Sequence, residues 1–146
     1  MEYVLMDQSH VESIARLEAV CFNDPWSINS IQSELNNALS LWVVAVESNR
    51  VVGYVGSQSV MGWADMMNLA VDPDYRKRGI GRELVEQLIK RLKENEVTCL
   101  TLEVRVSNTP AVNLYNSLGF CEVGRRPGYY RNPKEDALIL RREWDI

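Results

Sequence analysis

Arg76-Lys77-Arg78-Gly79-Ile80-Gly81-Arg82 sets four cationic side chains and two glycines within seven residues, in a chain whose net charge is −4. A basic, glycine-containing turn that leads into an amphipathic stretch is how a chain offers backbone N–H groups and a helix dipole to a phosphate. Glycine removes the side chain where such a ligand must approach the backbone. A diphosphate carrying an additional ribose phosphate suits this concentration of charge. Two nucleotide fingerprints are excluded: the run lacks GxxxxGK followed by Ser or Thr, and Leu84 stands where a third Rossmann glycine would. From spacing alone, the segment reads equally well as a solvated basic turn with a glycine at the start of a helix.

Proton chemistry has two candidates. The run Val97 to Val106 alternates, with Leu100, Leu102, Val104 and Val106 on one face and Cys99, Thr101, Glu103 and Arg105 on the other. Pattern alone makes Glu103 a charge on a solvent-facing strand. Tyr115 shares an apolar helical stripe with Ala111, Leu114 and Leu118, the usual setting of a core aromatic whose hydroxyl finds a local partner. Trp26, Tyr129 and Tyr130 are loop aromatics that could wall a groove or pack locally. The lone histidine, His10, precedes a helix and has no visible partners for a Ser-His-Asp site. No His, Cys or carboxylate set shows metal-ligand spacing, so no metal is expected. Cys21, Cys99 and Cys121 are odd in number and embedded among apolar residues, which suits reduced, partly buried thiols.

The elements that must position these residues follow from periodicity. Val11 to Phe22 carries Val11, Ile14, Leu17 and Cys21 at helical spacing, and Ser27 to Asn37 reads as a second helix with Ser27 as its N-cap. The turn Asn23-Asp24-Pro25-Trp26 separates them. Leu41 to Val46 and Val51 to Gly56 are β-rich runs around a four-residue turn, Glu47 to Arg50. Met66 to Val71 is a third strand, which ends at Asp72-Pro73-Asp74. From Gly81 to about Asn95, Leu84, Val85, Leu88, Ile89 and Leu92 share one face opposite the charges. Thr109 and Pro110 read as N-cap and first position of a helix over Ala111 to Leu118, stopped by Gly119. Phe120 to Gly124 and Ala137 to Arg142 complete the chain as strands around a loop rich in Pro, Gly and Tyr. The order is β-α-α-β-β-β-α-β-α-β-β, an α/β (α+β) fold.

At 146 residues, 46% hydrophobic and 25% charged, the chain fits one ordinary globular domain spanning 1–146. The longest apolar run, Leu41 to Val46, is far short of the roughly 18 residues of a membrane span. Met1-Glu2-Tyr3-Val4 does not read as a secretion signal, which makes the cytosol the expected compartment. The acidic balance argues against direct nucleic-acid binding and tilts toward a basic substrate.

Arg76-Lys77-Arg78-Gly79-Ile80-Gly81 matches the Gln/Arg-x-x-Gly-x-Gly/Ala motif of the GCN5-related N-acetyltransferase (GNAT) superfamily, and Asn68 to Pro73 resembles the strand that leads into it. Leu102-Glu103-Val104-Arg105, Ser107-Asn108, Leu114-Tyr115 and Leu118-Gly119-Phe120 resemble the second half of the same fold. With Cys21 to Ser27 and Tyr129-Tyr130, the resemblance covers nearly the whole chain. It is nearest to those members that acetylate the N-terminus of a small-subunit ribosomal protein.

This resemblance implies a GNAT-type domain with a mixed central sheet, splayed strands and flanking helices. Acetyl-coenzyme A is then the acyl donor, and the N-terminal alanine of a ribosomal protein the acceptor. The alternative is another protein N-terminus, a lysine or a small-molecule amine. Acetyl transfer from a thioester requires a neutral amine, a proton acceptor and a proton for the departing thiolate; the resemblance assigns the last two roles to Glu103 and Tyr115. It places Leu69, Ala70, Val71, Lys77, Arg78, Gly79, Ile80, Gly81, Arg82 and Asn108 against the coenzyme, and Trp26, Tyr129 and Tyr130 against the acceptor. The protein is expected to act as a monomer or weak dimer.

Overall fold

The computed structural model describes residues Met1 to Asp145. Among the described residues, the strands are β1 (Glu2–Leu5), β2 (Ser40–Glu47), β3 (Arg50–Val60), β4 (Trp63–Val71), β5 (Cys99–Arg105), β6 (Cys121–Tyr130) and β7 (Glu135–Glu143). The α-helices are α1 (Val11–Cys21), α2 (Ile28–Glu34), α3 (Ile80–Glu94) and α4 (Thr109–Ser117), with short 3-10 turns at Gln8–His10 and Pro73–Tyr75. Their order is the one that periodicity predicts. The strands form one seven-stranded sheet in the order β1-β2-β3-β4-β5-β7-β6. Every pairing is antiparallel except β4 with β5.

Helices cover both faces. On one, Leu84, Val85, Leu88 and Leu92 of α3 and Tyr115 of α4 pack on Val43, Val55, Leu100, Leu102 and Leu140. On the other, Val11, Ile14 and Leu17 of α1 and Ile31 of α2 pack on Trp42, Val44, Tyr54 and Ala70. Burial on both sides explains why β2 and β3 read as apolar runs rather than alternating ones. The second face is covered over β1, β2, the first half of β3 and the Met67 to Ala70 end of β4, and is open around Trp63 and Asp65 at the start of β4. Over β5, β7 and β6 it carries Thr101, Glu103, Arg141 and other polar groups, and this open half flanks the site.

Several boundaries differ from the sequence expectation. The β2–β3 turn is two residues, not four, because Ser48 and Asn49 both take left-handed backbone angles (φ 50° and 65°), as a tight hairpin of this hand requires. Strand β3 continues past Gly56 to Val60, and a second tight turn at Met61-Gly62 (φ 51° and 86°) leads straight into β4. Gly56 is no terminator: a Cβ there would stand 2.3 Å from the Trp42 indole, so glycine is what lets the ring lie on the strand. Most of the expected Pro/Gly/Tyr loop is strand, since β6 runs to Tyr130. The N-cap of α4 is Asn108 rather than Thr109; its side-chain oxygen accepts from the Ala111 N–H at 3.3 Å. Cys99 is buried and Cys21 partly so, but Cys121, on the edge strand, is exposed.

Candidate active site: the parting of β4 and β5

Strands β4 and β5 pair over three rungs only, Trp63–Cys99, Ala64–Leu100 and Asp65–Thr101. Beyond them the strands separate. The β3–β4 register slips between Gly56 and Ser57, whose partners are Asn68 and Met66, so Met67 is an extra residue in β4. Such a bulge bends its strand and sharpens its twist. It begins one residue after the last rung, whereas β5 stays paired to β7 along its whole length.

The bent segment keeps one edge bonded and frees the other. Asp72 N–H donates to Val52 O at 2.8 Å, and the alternation of an antiparallel ladder turns Ala70 to β3 in the same way. Leu69 and Val71 therefore direct their main-chain groups into the gap, while Ala70 faces away. Above them lies the basic loop. Gly79 caps α3 with left-handed angles (φ 79°, ψ 11°), and α3 has no side-chain cap. The first intrahelical bond there is Glu83 N–H to Gly79 O at 3.1 Å, which leaves the N–H groups of Ile80, Gly81 and Arg82 as free donors. A Cβ at Gly79 would meet no atom within 4 Å, whereas one at Gly81 would stand 3.7 Å from Leu114 and 3.8 Å from Val71. Glycine at 81 thus keeps the space between β4 and α4 clear.

The cationic side chains do not converge on this opening. Arg76 Nε donates to Val71 O at 3.3 Å, Arg78 donates to Asp74 O at 3.2 Å and lies over the Tyr75 ring, and Arg82 bonds Ser117 Oγ. They shape the loop and supply positive potential, and the backbone supplies the directed donors. Lys77 holds a left-handed turn at φ 65°.

Glu103 and Tyr115 flank the gap from opposite faces of the sheet. Glu103 lies on the open face, its Oε1 accepting from Arg126 Nε at 3.1 Å. Tyr115 comes from α4 on the α3 side, is buried, and packs edge-on against Phe120. Its hydroxyl is 3.7 Å from Met66 Sδ, a weak acceptor, at the first residue beyond the last rung. Burial raises its pKa above the ordinary tyrosine value, which keeps the phenol protonated.

The two loop aromatics expected at the acceptor groove end β6. Tyr129 is exposed, and its pKa is raised by hydrogen bonding to the Glu103 carboxylate and then by burial. Tyr130 is half-buried, pushed up to about 12 by burial and the Glu103 charge, with Arg105 4.4 Å over its ring. Trp26 is not free in the same way, since its indole packs edge-on against Trp42 at 5.6 Å. Asn108, at the far wall of the gap, is committed through its side-chain oxygen to capping α4. A hollow of about 390 Å³ lined by Trp63, Thr98, Cys99, Glu143, Trp144 and Asp145 lies at the other end of β5 and holds none of these groups.

A sheet opened at one parallel pair, with an uncapped basic helix start above the opening, coincides with a match of residues 11–120 to the profile of the Acetyltransferase (GNAT) family. The chain belongs to this family. It is 39% identical over 118 residues to the ribosomal protein bS18-alanine N-acetyltransferase of Escherichia coli (strain K12), covering 80% of this chain and 79% of that protein. To the Haemophilus influenzae protein of the same name it is 34% identical over 132 residues, 88% of this chain and 89% of the other. The crystal structure of the Escherichia coli ribosomal-protein-S18-alanine N-acetyltransferase superposes with TM-score 0.92 at 32% identity, over 99% of this chain and 94% of that one. The NatC complex bound to Gag peptide and CoA contains a chain that matches with TM-score 0.82 at 27% identity, over 99% of this chain and all of its own length.

Glu18 is the site-supporting residue of this acetyltransferase that sequence reasoning missed. It is fully buried on α1 and accepts from Tyr54 Oη at 2.6 Å, Asn68 Nδ2 at 2.7 Å and the Trp26 N–H at 3.3 Å. A buried carboxylate needs such donors, and these tie the helix, the loop that follows it and the bulge of β4 together. The signal was present: position 18 falls on the stripe of Val11 and Ile14, where a charge is out of place.

The uncapped helix start yields a direct test. Gly79→Val puts a branched side chain into the open space at a left-handed position, where strain costs on the order of 1–2 kcal/mol. Calorimetry on the folded variant is expected to show coenzyme A affinity weakened by roughly tenfold or more. Unchanged affinity would mean that the loop does not hold the coenzyme.

Proposed function

We propose that this chain transfers the acetyl group of acetyl-coenzyme A to the α-amine of the N-terminal alanine of a small-subunit ribosomal protein. The observation that carries the reading is the gap between β4 and β5, with a carboxylate on its open face and a protonated phenol on the other. The bS18-alanine acetyltransferases to which the chain is similar supply the acceptor. The reaction is assigned to the cytosol, with the chain as a monomer or weak dimer that meets its substrate through protein contacts.

Acetyl-coenzyme A serves as a substrate, and the residues present fit it. The free N–H groups of Ile80, Gly81 and Arg82 and the turn from Lys77 through Arg78 to Gly79 suit its pyrophosphate. Leu69, through its N–H and C=O, and Val71, through its N–H, offer main-chain groups to an extended pantetheine arm, a form of strand addition; the Val71 carbonyl is already held by Arg76. Ala70 contributes by holding β4 on β3, and Asn108 contributes at the opposite wall.

The coenzyme is assigned to the α4 side and the acceptor to the open face. The amine nitrogen attacks the thioester carbonyl carbon, and Glu103 takes the amine proton directly or through a water. As the carbon–sulfur bond breaks, Tyr115 gives its proton to the thiolate; burial keeps that proton in place until then. An α-amine suits this modest base, because its pKa of about 7.7–8.0 leaves far more of it neutral near pH 7 than a lysine at about 10.4. Trp26, Tyr129 and Tyr130 border the acceptor side, with Tyr129 and Tyr130 also fixing Glu103 and Arg105.

Glu103→Gln and Tyr115→Phe each remove one proton-transfer group while nearly keeping shape. Turnover is expected to fall on the order of 10²–10⁴-fold in each, with coenzyme affinity retained. Near-normal turnover with chemistry rate-limiting would remove these roles. The acceptor class is tested with a peptide carrying a free N-terminal alanine and the same peptide with a blocked N-terminus and an internal lysine. Mass spectrometry is expected to find acetylation of the first alone, whereas equal modification of both would make the enzyme a general amine acetyltransferase.

A further inference from the structure

The open face of the sheet carries a carboxylate that neither the fold nor the chemistry above employs. Asp65 stands on the last rung before the strands part, opposite Thr101. Thr101 and Glu103 point to the same side of β5, and rung partners share a side, so Asp65 lies on the face of Glu103. It is exposed, and among the described residues it makes no ion pair.

The nearby cations are already engaged. Arg141 Nε donates to Thr101 Oγ1 at 3.0 Å and its guanidinium lies over the Trp63 ring at 5.1 Å, while Arg126 Nε donates to Glu103. Partial burial and the Glu103 charge raise the Asp65 pKa, with Arg141 and Arg126 opposing. The acceptor side of the gap therefore has an uncompensated carboxylate, and an arriving cation relieves both its desolvation and its repulsion from Glu103.

Reach then selects the ligand group. The rung of Asp65 lies two residues along β5 from Glu103, about 7 Å at the rise of a strand. An acceptor whose α-amine meets Glu103 cannot span that distance with the methyl group of its alanine, but an Arg or Lys side chain on the next residue can. We propose that Asp65 binds the cationic side chain of the residue directly after the N-terminal alanine, and so selects Arg or Lys at that position. The proposal rests on the function assigned above.

The test is steady-state kinetics of the full chain with two synthetic peptides that differ only at the second residue, Ala-Arg and Ala-norleucine. Asp65→Asn is expected to raise KM for the Ala-Arg peptide roughly tenfold, with kcat for both peptides and KM for Ala-norleucine held within about twofold. Asp65→Lys is expected to turn the preference toward an Ala-Glu peptide. Equal KM changes for both peptides, or none for either, would overturn the subsite. The two readings fail separately: a wild-type enzyme that turns over both peptides with equal kcat/KM removes only the subsite, whereas one that acetylates neither removes the function and the subsite with it.

Discussion

Two parallel strands that stop pairing after three rungs leave backbone donors and acceptors unsatisfied in the interior of a seven-stranded sheet, and the rest of this molecule is organised around that break. Unpaired main-chain groups are costly when shielded from water and favourable when an extended ligand supplies the missing strand. The bulge at Met67 bends β4 away, and β7 holds β5 in place. Glu18 fixes the bend, because its buried carboxylate binds Asn68 beside the bulge and draws Tyr54 and the Trp26 backbone to the same point.

The break also separates two electrostatic environments. On the α4 side, Tyr115 is buried among apolar groups, and its proton is held firmly. On the open side, Glu103 sits with Arg126, Tyr129 and Asp65 at a surface that water and a peptide can reach. The roles proposed for Glu103 and Tyr115, a base that meets an incoming amine and an acid that waits for a thiolate, call for different surroundings, and the sheet between them provides the partition. The cationic loop follows the same logic: its arginines are tied down locally, and the directed donors are backbone N–H groups at an uncapped helix start.

Much of this was legible in the sequence because it depends on period and on local chemistry. The apolar face of α3, the alternation that sends Glu103 and Leu102 to opposite sides of β5, and the glycine at the start of α3 all express rules that act within one element. What escaped depends on contacts between elements. The turn at Met61-Gly62 puts a methionine at positive φ, which no local rule anticipates, and the strands it joins carry polar residues because one sheet face there is open. The bulge at Met67 is defined only by its partners on β3. Strand β6 looked like a loop because an edge strand tolerates Pro127 and the pair Arg125 and Arg126. Glu18 was hidden by its apolar helix, since its donors come from residues 26, 54 and 68.

Amide hydrogen exchange with and without coenzyme A tests the central claim most directly, since it reads the backbone groups said to await a ligand. The account predicts that the coenzyme slows exchange at Leu69 and Val71 in the gap and at Ile80, Gly81 and Arg82 at the start of α3, and leaves the fully paired amides of β2 unaltered. Protection that spared the gap and appeared instead around Trp63, Thr98 and Trp144, at the other end of β5, would contradict it.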